Sequence, residues 1–161
     1  KEREFTPING SDERQFCSPG LNLPVVQVAR TIYADYDEYH TSLDTKEFMR
    51  ISSVIDSIEK ILFFLRAFEL NRSCLISTIP GCEPMLGKRD LYPTINSAIT
   101  NRMSSDYALD GRQRLNLLLK TISLLDGEHR LSQIVEFLQT SYEHLVPVVD
   151  QLIEKKVIRH E

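Results

Sequence analysis

The feature that most restricts what this 161-residue chain can become lies in its last third, where apolar residues recur in three helical stripes separated by turn residues. Leu115, Leu118, Leu119, Ile122 and Leu125 step by three and four and mark a first helix, which Asp126-Gly127 stops because glycine accepts left-handed backbone geometry. Leu131, Ile134, Val135 and Leu138 mark a second, with Ser132 and Gln133 on its solvent side. Tyr142, Leu145, Val148, Val149, Leu152 and Ile153 mark a third. Pro147 fits that helix without strain only in its first turn and bends it otherwise. Val157-Ile158-Arg159 reads as a strand. Three helices with a tight turn and a closing strand make a winged helix-turn-helix over residues 109–161, cut short where the wing should return.

Upstream, residues 44–70 read as one long helix. Asp44-Thr45-Lys46-Glu47 has the spacing of a capping box. Phe48, Ile51, Ile55, Ile58, Leu62 and Leu65 form a stripe, widened by Val54, Ile61, Phe64 and Phe68, so the helix is expected to be buried on more than a single seam and to pack on a sheet. Phe63, Phe64 and Phe68 need no cofactor to explain them. Between this helix and the last three, Pro80, Gly81, Pro84, Gly87 and Pro93 break up residues 71–110. The Lys88-Arg89 pair there reads as a solvated turn in preference to a contact with an acidic substrate or with the Asp-rich loop.

The densest grouping of titratable and turn-forming residues is Gly10 to Thr45. Its apolar run, Leu23 to Ala29 with Val25, Val26 and Val28, predicts a short buried strand. A polar loop with Asp12, Glu13 and Arg14 precedes that run, and an acidic loop from Tyr33 to Asp44 containing His40 follows it. A strand between two loops is how α/β enzymes carry reactive groups to the end of a sheet. Taken alone, Asp12, Glu13 and Arg14 fit solvated turn charges, and His40 fits a hydrogen-bonded loop histidine. Lys1 to Asn9 is a charged lead-in, expected to be poorly ordered by itself.

Composition narrows the classes. A content of 42% hydrophobic and 26% charged residues is ordinary for a globular protein, and the net charge of -4 gives no reason to expect nucleic acid or an anionic membrane as partner. Cys17, Cys74 and Cys82 are odd in number, widely spaced and without a CxxC pattern, which points to free thiols and a cytoplasmic setting. No apolar run approaches the ~18 residues of a membrane span.

GSDERQFCSPGLNLPV, residues 10–25, followed by EYHTSLDT, residues 38–45, resembles the C-terminal part of the catalytic domain in the zinc aminopeptidase family of bacterial leucyl aminopeptidases and glutaminyl cyclases. More narrowly, it is similar to the bacterial aminopeptidase-like proteins that end in a winged helix and are described as polysaccharide-biosynthesis-associated. The resemblance continues through GCEPMLGKRDLYPT, residues 81–94, into the C-terminal helices, and so covers most of the chain.

The resemblance implies a zinc-exopeptidase-like α/β domain followed by an α-rich winged helix. It divides the chain into a catalytic-domain part at 1–74, a connecting segment at 75–108 and a winged helix at 109–161. It also implies two zinc ions, with His40 as the last metal ligand, and Asp12 and Arg14 contacting substrate or supporting the site. Imidazole suits zinc because a neutral ring nitrogen is a borderline-soft donor. The family's His-x-Asp pair, Glu-Glu pair and further Asp ligand have no counterpart here. The expectation is therefore a C-terminal fragment, with no catalytic residue of its own, whose partner is the missing N-terminal part of its catalytic domain.

Two classes of function follow. One is part of a hydrolase that cleaves a small peptide or amide with metal-activated water, inactive as this fragment alone. The other is a DNA-binding or protein-docking module built on the winged helix, or a ligand binder that has lost catalysis. From Gly111 onward, Arg112, Arg114, Lys120, Arg130, Lys155, Lys156 and Arg159 are matched one for one by Asp126, Glu128, Glu136, Glu143, Asp150, Glu154 and Glu161. That balance argues against nucleic acid as the partner. Self-association is left open.

Overall fold

The computed structural model describes residues 4, 6–8, 10–33, 35–92 and 109–160. Most of the expected lead-in, and residues 93–108 of the expected connecting segment, lie outside the described residues. The chain divides into two units, residues 1–57 and 58–161.

The first unit is mostly turns. Its one short helix, α1 (Glu13–Phe16), closes the GSDERQ loop on itself: Glu13 Oε1 accepts the Ser11 N–H at 2.9 Å, and Arg14 Nε donates to the Ser11 carbonyl at 3.3 Å. The predicted strand over Leu23 to Ala29 does not form. These residues are irregular, with Leu23, Val26 and Val28 exposed. A strand of this kind is stabilised by its neighbours, and among the described residues of this unit there is no second strand to pair with it.

The long helix also departs from expectation at its start. α2 runs Ile51–Leu70, seven residues later than the apparent capping box. Thr45 instead closes a separate turn, its carbonyl accepting from the N–H groups of Phe48 and Met49. The Glu47 carboxyl is held below its ordinary pKa by hydrogen bonds from its own N–H and from Thr45. Local bonding of this sort competes with helix formation. The stripe expected to be buried, Phe48, Ile51, Ile55, Ile58, Leu62 and Leu65, is exposed, and only Ala67 and Leu70 of α2 are buried.

The second unit contains the three helices that the sequence predicts, α3 (Gly111–Ile122), α4 (Leu131–Phe137) and α5 (Tyr142–Glu154). But α3 ends at Ile122, short of Leu125 and of the Asp126-Gly127 pair expected to stop it, because the N–H groups of Leu124 and Leu125 turn back onto the carbonyls of Thr121 and Ile122. Asp110 caps α3 reciprocally with Gln113, at 2.7 and 3.0 Å, which satisfies two first-turn donors. Pro147 lies past the first turn of α5 on its exposed side, so the carbonyl one turn earlier, that of Glu143, lacks its helical donor where water can replace it.

The sheet was not foreseen. β1 (Leu75–Ser77) pairs antiparallel with β2 (Ile158–His160), in the register Leu75 to His160, Ile76 to Arg159 and Ser77 to Ile158. The last strand, read from sequence as the start of a wing, thus finds its partner ahead of the three helices. The turn after α3 flanks the other side of β1: Ser77 N–H donates to the Leu125 carbonyl, and Leu75 exchanges bonds with Gly127 and His129, all at 3.0 to 3.1 Å. Leu70, Leu75, Leu91, Leu118, Leu131, Ile134, Leu145, Val149, Leu152 and Val157 fill the core. The buried Thr121 hydroxyl donates to the Leu117 carbonyl at 2.7 Å, which removes the cost of an unpaired polar group. The last turn of α2 belongs to this core through Ala67 and Leu70, with Phe63 packed against it.

Candidate functional site

Asp12 sits at the cap position of α1 with its side chain exposed, and Arg14 is two residues on, its side chain folded over Gly10. Cys17 is half-buried, and its thiol faces the carbonyls of Leu23 and Val25 at 3.4 and 3.7 Å, a structural contact rather than that of a nucleophile. His40 lies at φ 57°, a left-handed position uncommon for a residue with a side chain. Its ring stacks on Tyr39 at 3.9 Å, and Tyr39 in turn packs against Tyr33 and Tyr36. Tyr36 stacks on Phe48. An exposed imidazole held by aromatic rings is a usable donor. Yet among the described residues no three His, Cys, Asp or Glu side chains come together to hold a metal ion.

The Arg30 guanidinium pairs with Asp56 and donates to the Ser53 carbonyl at 3.0 Å, tying the chain after the apolar run to the first turns of α2. Sequence spacing gave no sign of this pair.

In the second unit, the surface that matters for a winged helix is the outer side of α5, the helix that enters the major groove in DNA-binding members of such folds. Here that side carries Tyr142, Glu143, Pro147 and Glu154. The Ser141 hydroxyl and Glu143's own N–H hold the Glu143 carboxyl below its usual pKa, with the own N–H the larger cause. Asp150, further along, is taken up by Arg66 of α2, whose Nε and Nη2 approach one carboxylate oxygen at 2.8 and 2.6 Å. Arg114 of α3 donates to Gln151 at 3.1 Å. Two cations that could have met phosphate are thus turned onto α5 itself. The sequence shows Asp150 as an acidic residue in the helix, but its partner, 84 residues earlier, carries no local signal.

In the turn that follows α3, Asp126 accepts from the N–H groups of Glu128 and His129 and from the His129 ring at 2.8 Å. Partial desolvation raises its pKa, but the hydrogen bonds from His129 and Glu128 and the nearby His129 charge outweigh that and leave it lowered. Gly127 beside it has φ 85°, and a Cβ there would come 3.2 Å from Ile76 Cδ1. Beside this turn a cavity of about 540 Å³ opens between β1, Cys82, Ile122 and Arg159.

Helices α3 to α5 and the strands that close them define a winged helix-turn-helix, and the chain belongs to that family, whose model matches residues 73–160. Residues 1–71 match a family described as a domain of unknown function (DUF4910). A Clostridium acetobutylicum protein, named as a candidate polysaccharide biosynthesis protein with aminopeptidase-like domain, is 33% identical over 93% of this chain. A crystal structure of a candidate peptidase from Clostridium acetobutylicum covers 94% of this chain at 28% identity, with a TM-score of 0.59. The chain spans about a third of the length of these relatives: 32% of the first and 30% of the second.

Proposed function

We propose that this chain is the C-terminal, peptidase-like region of an aminopeptidase-like hydrolase acting on a small peptide or amide, with its winged helix serving as a protein-docking element. The observation that carries this reading is that similarity to the aminopeptidase-like relative runs over 93% of the chain and so takes in both the His40 region and the winged helix.

His40 is the ligand this chain would contribute to a two-zinc centre in the whole protein. The residues present do not fit a zinc ion by themselves: a catalytic zinc takes about three protein ligands, and here one imidazole stands on an aromatic stack without two further donors gathered beside it among the described residues. Asp12 and Arg14, a carboxylate and a guanidinium on one tight turn, are suited to pairing with the charged ends of a short peptide.

The test is a chimera in which this chain replaces the matching third of the Clostridium acetobutylicum relative. Leucyl-anilide hydrolysis and zinc content are measured before and after His40→Ala. Loss of both, with the thermal midpoint unchanged, is the expected outcome. Unchanged zinc in the variant removes His40 from the centre.

A further inference from the structure

α2 is apolar on two sides. Phe63, Ala67 and Leu70 face the winged-helix core. Ile58, Ile61, Leu62, Leu65 and Phe68, at steps of three and four, mark a separate face, and it is open: Ile58 is 50%, Leu62 60%, Leu65 53% and Phe68 64% exposed. A contiguous apolar patch of this kind on a helix marks a surface that something else occupies.

We propose that this face docks the peptidase-like body that accounts for the other two thirds of the relatives' length, which makes α2 a spline shared between that body and the winged helix. The inference rests on the reading given under Proposed function. The occupant follows from two observations. The chain covers only 32% and 30% of relatives that match almost all of it, so the counterpart of a larger body exists in both. The five apolar side chains on the face are all isoleucine, leucine or phenylalanine, and the one charge in their row, Glu69 at the end of the helix, pairs with Arg66 at 3.6 Å. That is the composition of a permanent, core-like interface rather than of an exchangeable one, which is only about as apolar as ordinary surface. At the other side of the helix, Leu70 is fully buried and Arg66 is bonded to Asp150, so any body seated on the open face is held in register with α5.

The test uses the same chimera with and without the double substitution Leu62→Glu and Leu65→Glu, followed by calorimetry and limited proteolysis. The parent chimera is expected to unfold in one transition. The double variant is expected to split it in two, with the winged-helix transition preserved and α2 newly cut by protease. A double variant that unfolds in one transition at the parent's temperature overturns the docking. A chimera that shows the split but hydrolyses no aminoacyl substrate keeps the docking and removes the peptidase reading, so the two fail separately.

Light scattering on the 161-residue chain gives a second measurement should the chimera prove insoluble. Open-ended, concentration-dependent association that the double variant suppresses is the result expected of an uncovered core face. A discrete dimer that the double variant abolishes assigns the face to a second copy and overturns the proposal.

Discussion

The side-chain oxygen of Asn71, just past the end of α2, accepts the backbone N–H of Ser132 at 2.8 Å and so caps the first turn of α4 from another part of the chain. Gln133 serves the neighbouring donor, accepting the Arg130 N–H at 2.8 Å. Helix starts leave such donors without intrahelical partners, and their usual acceptor is local. Here one comes from 61 residues away. Asn71→Ala is expected to cost about 1 kcal/mol, the typical value of a lost cap. Asn71→Asp, which keeps an acceptor at a helix N-terminus, should cost less. Urea unfolding of the three proteins followed by circular dichroism checks the order.

The pH dependence of stability should carry a signature of Asp126. Its folded pKa is lowered from the ordinary 3.8, because the hydrogen bonds from His129 and Glu128 outweigh partial desolvation. A depressed carboxyl contributes stability that is present above the unfolded pKa and lost as pH falls through the folded one. The stability gap between wild type and Asp126→Asn should therefore be fully present at about pH 5 to 6 and close as the pH drops below 4. Thermal midpoints between pH 3 and 6 measure it, and a gap that widens toward acid would be inconsistent with this turn.

The winged helix should not bind duplex DNA. Phosphate binding needs free Lys and Arg at the helix that meets the groove. On α5 the exposed positions offer Glu143 and Glu154, while Arg66 and Arg114 are engaged by Asp150 and Gln151. Lys155, Lys156 and Arg159 lie beyond α5, where a weak contact to the DNA backbone is the most they supply. A mobility-shift titration at ~50 mM salt, where electrostatic binding is strongest, should show no saturable complex at micromolar protein.

The 161-residue chain by itself should retain no stoichiometric zinc after dialysis and should not hydrolyse leucyl-anilide. One imidazole cannot replace the several convergent ligands of a catalytic zinc. Elemental analysis checks the first statement and a chromogenic assay the second.

What the sequence made legible follows from the range of the forces involved. Helices α3 to α5 were readable because their stripes and short lengths are local signals, although α3 ends at Ile122, ahead of the Asp126-Gly127 pair read as its stop. β1 was not, since Leu75-Ile76-Ser77 becomes a strand only through β2 and the turn at Gly127. The run at Leu23 to Ala29 shows the reverse: its residues suit a strand, but they find no partner among the described residues and stay irregular. In α2 the stripe marked a face expected to lie on a sheet, and that face is exposed. The candidate site was legible as residue types, with His40, Asp12 and Arg14 in polar loops. The stacking of His40 on Tyr39 and the pairing of Arg66 with Asp150 depend on the fold and left no pattern to read.

The pairing of β1 with β2 also governs timing. Thr78 bonds the carbonyl of Lys156, 78 residues later, and the strand before it waits on the residues just beyond. Contacts of such long sequence separation form late, because the loop they close must first be gathered at an entropic cost. During synthesis, α3 and α4 can coil as they emerge, while Leu75 stays without its strand partner until Ile158 to His160 have left the ribosome. The second unit therefore completes its sheet in one late event, and a ribosome stalled before that event would display the half-made core to chaperones.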